Sequence, residues 1–120
     1  LSKISRKQEK GHGSGYIDLH IHSYCSDSPL SPAEIVHLAE EKGLKAIAVT
    51  DHDSVAGVEE ATERGAEVGI EVISGVELSV SDGASDIHIL GYFVDHTDEE
   101  FKNELERFKK ARLERVKKIL

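Results

Sequence analysis

A chain of 120 residues with 38% hydrophobic side chains is long enough for one domain with a core and too short for two ordinary ones. Aromatics make up only 5% and tryptophan is absent, which argues against a stacking platform for single-stranded nucleic acid; no apolar run approaches the roughly 20 residues of a membrane span. The net charge of −8 is concentrated in residues 11–97, where three basic side chains stand against 16 acidic ones, so this stretch should repel phosphates unless cations reverse the local sign.

Residues 1–15 close on Gly11-His12-Gly13-Ser14-Gly15 and read as a linker or tag-like segment outside the fold. No charged-then-apolar signal segment opens the chain, and the single cysteine, Cys25, fits a reducing compartment, so the expected location is cytoplasmic. From Tyr16 to His22 the pattern is strand-like. Ser31-Pro32-Ala33-Glu34 then supplies a capping box with proline at the first helical position. Ile35, Leu38 and Ala39 give that helix its apolar face, and Gly43 ends it. Ala46-Ile47-Ala48-Val49-Thr50 reads as a buried parallel strand. A second helix is predicted from about Val55 to Val68, closed by Gly69 and capped by Asp53 or Ser54. Ile70 to Val80 reads as a third strand.

The alternation of strand and helix predicts an α/β fold with a parallel sheet or barrel. It then breaks at Asp82-Gly83, a favoured two-residue hairpin turn, followed by a strand from Ile87 to Val94. Thr97-Asp98-Glu99-Glu100 offers a capping box for a long last helix, with Phe101, Leu105, Phe108, Val116 and Ile119 as its stripe. That helix shows no stop signal before Leu120, so the domain is expected to span residues 16–120 and to end within a helix.

The chemistry-bearing residues lie at strand ends. His20 and His22 are two apart on a strand, so both point to one face, where two imidazoles can grip a cation. Asp27 follows in the next loop. The second strand, wholly apolar, ends abruptly in Asp51-His52-Asp53, at the carboxyl end where active sites of parallel α/β folds assemble. Glu77 lies on the third strand and His88 on the fourth. If Asp82-Gly83 is a two-residue turn, Glu77 and His88 face each other directly, with Cβ atoms about 4.5–5.5 Å apart. His12, His37 and His96 read as surface residues, and Cys25 as inert.

These runs, Asp18-Leu19-His20-Ile21-His22-Ser23, Ser26-Asp27, Thr50-Asp51-His52-Asp53, Gly75-Val76-Glu77-Leu78-Ser79 and Ile87-His88-Ile89-Leu90-Gly91-Tyr92, resemble the PHP (polymerase and histidinol phosphatase) superfamily. The spacing is most similar to the small bacterial branch that includes 3′,5′-nucleoside bisphosphate phosphatases. The resemblance implies the N-terminal portion of a distorted (β/α)7, TIM-like barrel, with a β-hairpin at 70–94 and a long C-terminal helix. It implies two or three divalent metal ions, Mn, Fe or Zn, at the strand ends. By the same resemblance His20 and His22 bind a first ion, Asp27 and His52 another, Glu77 bridges, and His88 completes the site. Asp51 and Glu77 are the candidates for catalytic or supporting roles. Ser28 departs from the glycine the family commonly has after the aspartate. The family's later motifs, a further histidine and a terminal Asp-x-His, lie outside these residues.

The implied activity is hydrolysis of a phosphate ester by a metal-activated hydroxide, on a small phosphorylated substrate such as a nucleotide or short oligonucleotide. Alternatives are an amidohydrolase-type metal hydrolase, a proofreading exonuclease module of a polymerase, and a non-catalytic metal-binding fragment. Amidohydrolases usually add a bridging lysine, and no lysine ends a strand here. Lys42, Lys45 and Arg64 all fall on or beside predicted helices, so the groups that grip phosphate are expected from residues beyond this chain. A complete barrel takes about 250 residues. Four strands leave open edges, which invite pairing with a second chain.

Overall fold

The computed structural model describes residues 15–119, and the side chain of Ile119 is not among what it describes. The expected linker at 1–15 therefore lies outside the described residues except for Gly15, as does Ile119's place in the last helix's stripe. The elements run β1 (Ile17–Ile21), α1 (Pro32–Glu41), β2 (Ala46–Val49), α2 (Val58–Val68), β3 (Glu71–Ser81), β4 (Asp86–Tyr92) and α3 (Glu99–Ile119). The four strands form one sheet in the order β1-β2-β3-β4. The first three are parallel, joined by helical crossovers, and β4 returns antiparallel to β3. The fold is α/β, a curled mixed sheet forming a half-barrel, with β1 and β4 at its edges. Among the described residues no helix is long and apolar enough to cross a membrane.

Local sequence explains most element ends. At α1 the Ser31 hydroxyl accepts from the Glu34 N–H while the Glu34 carboxylate accepts from the Ser31 N–H, and Pro32 opens the helix. Ile35, Val36 and Ala39 of α1 pack with Ile21, Ile47 and Val49 in the larger core, to which each fully buried Ile or Val contributes about 1.5–3 kcal/mol. A second cluster joins Val55, Val58 and Val76 to Leu105 and so ties α3 to β3. The α3 N-terminus is capped by Asp98, whose carboxylate accepts from the Glu100 N–H at 2.9 Å, and not by Thr97, which turns back to Asp95.

Two expectations are corrected here. The β3–β4 turn has four residues, 82–85, because Asp82 Oδ1 accepts from both Ala84 N and Ser85 N and holds a wider loop, with Gly83 at φ +91°. Ser81 therefore pairs with Asp86, Glu77 lies opposite Leu90, and His88 lies opposite Ser79. The register moves each facing pair by two positions in total, so every side chain keeps its face. His88 consequently still reaches Glu77, but diagonally. The second correction concerns α2, which starts at Val58 behind Gly57 with no side-chain cap. Ser54 instead accepts from Ala56 N in the preceding turn, and Asp53 is committed to partners across the sheet.

Candidate metal centre

β1 delivers His20 and, just past its end, His22, while β3 delivers Glu77. Glu77 is 3% exposed. Its Oε1 lies 2.9 Å from His20 Nε2 and 2.7 Å from His22 Nε2, and its Oε2 lies 2.8 Å from His88 Nδ1 on β4. Burial is the largest single influence and works to raise the Glu77 carboxyl pKa, but the hydrogen bonds from His20 and His22 together with attraction to His52 and His20 act against it, and the net shift is downward. A buried carboxylate shared by three imidazoles has no packing rationale, since apolar replacements would fill the same volume without its desolvation.

Asp27, on the loop between β1 and α1, stands on the other side of His22. Its Oδ1 lies 2.7 Å from His22 Nδ1 and its Oδ2 lies 3.3 Å from His52 Nε2. Burial is the largest single influence and pulls its pKa up, but attraction to His22, the hydrogen bond with it and attraction to His52 act together against burial, and the net is a lowered value. His52 moves down chiefly through burial, which disfavours the imidazolium. The rings of His20, His22, His52 and His88 form a chain with centroids 5.2, 4.5 and 5.3 Å apart. Four imidazoles this close could not all carry charge without repulsion, whereas neutral imidazole is the metal-binding form.

The donor set fits divalent ions. His20, His22 and Glu77 offer ligand atoms within 4.8 Å of one another, and so do His22, Asp27 and His52. A tetrahedral ion with bonds of about 2.0–2.2 Å needs donors roughly 3.4 Å apart, so small outward rotations would suffice. A neutral imidazole has one lone pair, so His22 cannot serve both groups as a ligand. Its Nε2 faces Glu77, and its other ring nitrogen faces Asp27, the arrangement in which a carboxylate orients a ligating histidine.

The structure thus brings His20, His22, Asp27, His52, Glu77 and His88 to one end of the sheet. Asp51 is placed apart from them. It is 1% exposed and its carboxylate accepts from Ser23 N, Ser23 Oγ and Ser26 Oγ, all at 2.6 Å. It anchors the loop that carries Asp27. Ser28, at the position of the family's glycine, has no positive φ, so the serine is unstrained there. His37 is two-thirds exposed beside Glu41. His96, in the turn before α3, is half-buried and has no place in the cluster.

Four contributors escaped the sequence reading. Asp53, 1% exposed and at φ +51°, accepts from Ser79 N through Oδ1 and from Arg112 Nε through Oδ2. Ser79, opposite His88, places its hydroxyl 3.4 Å from His52 Nδ1. Arg112 and Arg115 of α3 border the same cavity of about 320 Å³ as Asp27, His52 and His88. Cations were expected only from beyond this chain. The i, i+3 spacing of the two arginines put them on one helix face, but no local signal showed that this face would reach the strand ends.

The chain is 43% identical over 102 residues to a 5′-3′ exoribonuclease of Haemophilus influenzae, covering 85% of this chain and 37% of that protein. It is 38% identical over 103 residues to a 3′,5′-nucleoside bisphosphate phosphatase of Chromobacterium violaceum, covering 86% and 36%. Its fold superposes with a TM-score of 0.77, at 38% identity, on a Chromobacterium violaceum structure described as an amidohydrolase with bound sulfate and no metal, covering 85% of this chain and 36% of that one. The chain spans a little over a third of the length of these relatives. The PHP domain pattern matches residues 18–117, a stretch that holds every residue of the cluster, and the chain belongs to the PHP family.

Proposed function

We propose that this chain forms part of a divalent-metal-dependent phosphoesterase acting on nucleotides or short oligonucleotides. The observation that carries the proposal is the buried Glu77 carboxylate, contacted by the imidazoles of His20, His22 and His88. His20, His22 and Glu77 would hold one ion, and Asp27 with His52 a second, with Glu77 between His88 and the first group. When bound, such ions supply Lewis acidity to a phosphoryl oxygen and lower the pKa of water to about 7.

The chain's own residues do the positioning. Glu77 sets the spacing of His20, His22 and His88, Asp27 turns His22, and Asp51 keeps the Asp27 loop against β2. Histidine and carboxylate donors suit Mn, Fe and Zn alike. The relatives' activities support a nucleotide or RNA phosphate as substrate, and the Chromobacterium structure is described as holding sulfate, an oxyanion. The amidohydrolase reading lacks its bridging lysine, since among the described residues no lysine lines the cavity beside Asp27, His52 and His88. Elemental analysis of the purified chain, with a His20→Ala, His22→Ala variant, tests the centre. At least one divalent ion per chain, lost in the variant, is expected. Release of inorganic phosphate from a nucleoside 3′,5′-bisphosphate, or of mononucleotides from a 5′-phosphorylated oligoribonucleotide, by the metal-loaded protein tests the reaction. Metal-loaded protein that cleaves an amide and neither phosphate ester would sink it.

A further inference from the structure

We infer that Arg112 and Arg115 of α3 form a clamp for the terminal phosphoryl group of the substrate, and that Asp86 on β4 occupies this clamp until the phosphate displaces it. The proposal rests on the hydrolytic reading above only for the identity of the anion. Its basis is the cavity of about 320 Å³, which has Asp27, His52 and His88 among its lining residues together with these two arginines. That volume lies at the small end of ordinary ligand sites, of about 300–1,000 Å³, and suits a phosphoryl group with a small attached body. Among the described residues, the two guanidiniums are the only permanently charged cations lining it.

Each arginine is held in a different way. Arg112 gives its Nε–H to the buried Asp53 carboxylate at 2.9 Å, which fixes the guanidinium plane. A guanidinium has five N–H donors in a rigid fork, so orientation by Asp53 through one edge is compatible with an oxyanion on another. Arg115 is held loosely. Its Nη2 reaches the Ser79 carbonyl at 3.4 Å, and its Nε lies 3.7 Å from Asp86 Oδ1. Asp86 is two-thirds exposed, so this pair is a weak, solvent-screened contact that a phosphate dianion can replace. The i, i+3 spacing presents both arginines on one side of α3, where they line the same cavity as His52 and His88. Facing the carboxylate-rich segment 11–97, which otherwise repels phosphate, these are the groups at the cavity able to receive it.

The test is calorimetric titration of inorganic phosphate into the 120-residue chain, both stripped of metal with a chelator and loaded with Mn2+. The variants are Arg115→Gln and Asp86→Asn, and metal content is measured in each. Arg115→Gln should weaken phosphate binding by at least about tenfold, the loss expected from one charge-assisted pair, in both the stripped and the loaded protein. Asp86→Asn should tighten it, because the competing carboxylate is gone. Metal content should be that of the wild type in both variants. Phosphate binding unchanged in Arg115→Gln would overturn the clamp, and so would weakening in Asp86→Asn or failure of the stripped wild type to bind phosphate at millimolar concentration. If phosphate binds with these dependences while a chain extended through the family's later motifs hydrolyses no phosphate ester, the clamp stands and the hydrolytic reading falls.

Discussion

Replacing Glu77 by glutamine strikes the centre at its most connected side chain. The amide keeps the carboxylate's shape but not its charge, and one of its two ends is a donor. At least one of the imidazole nitrogens at 2.9, 2.7 and 2.8 Å therefore loses its acceptor. Disturbing a mere supporting partner of a metal ligand weakens binding by about 10–100-fold, so losing this carboxylate should reach about 100-fold or more. Bound metal stabilises the fold by about 2.7 kcal/mol at a concentration one hundred times Kd. With affinity lowered a hundredfold, the same concentration leaves about 0.4 kcal/mol. For a domain of this size 1 kcal/mol is worth about 4–8 °C in Tm. Adding Mn2+ or Zn2+ should then raise the wild-type Tm by roughly 10–20 °C and that of Glu77→Gln by no more than about 3 °C. Differential scanning calorimetry with and without metal reads this directly. His37→Ala is the control: its imidazole is two-thirds exposed and lies 3.3 Å from Glu41 on the same helix, so it should respond to metal as the wild type does. A metal-induced rise in Glu77→Gln equal to the wild type's would refute the assignment.

Asp51→Ala removes the acceptor of three 2.6 Å bonds and strands the buried Ser23 N–H, so urea denaturation should show a loss of about 1–3 kcal/mol. Metal affinity should fall with it, because the Asp27 loop loses its anchor; unchanged affinity would separate the loop from the site. In the metal-free protein, Glu77 and Asp27 both have carboxyl pKa values below their ordinary 4.5 and 3.8. The stability they supply is present above those ordinary values and is lost as pH falls through the depressed ones. His52, held below its ordinary 6.5 chiefly by burial, acts in the same direction from a higher pH, so Tm should decline steadily from about pH 6.5 downward. A Tm flat from pH 7 to pH 3 would contradict all three shifts. Gly65→Ala inverts the usual rule that alanine favours a helix interior by about 1 kcal/mol. A Cβ there would sit 2.6 Å from the Ile70 carbonyl oxygen, so the variant should have a lower urea midpoint.

Much of this molecule was legible in the chain by itself. The strand–helix alternation, the capping box at Ser31 and the apolar run at Ala46 depend on near neighbours, and their elements formed where the pattern placed them. The two-residue spacing of His20 and His22 set them on one face for the same local reason. The parity of the hairpin kept Glu77 and His88 on a common face even though the turn proved two residues longer. That turn length was decided by which amides the Asp82 carboxylate accepts, a choice Asp82-Gly83 leaves open. Tertiary structure alone decided what α3 does. Its sequence shows an amphipathic helix with acids early and bases late, but the sheet end it reaches depends on how Leu105 packs against Val76 and Val58. That packing carries Arg112 to Asp53 and Arg115 to Ser79 across separations of 59 and 36 residues. It likewise turned Asp53 from a helix cap into a cross-sheet anchor. Local pattern determines which face a side chain takes, whereas its partner is determined by packing between distant segments, and the cavity beside the histidines is made by such packing.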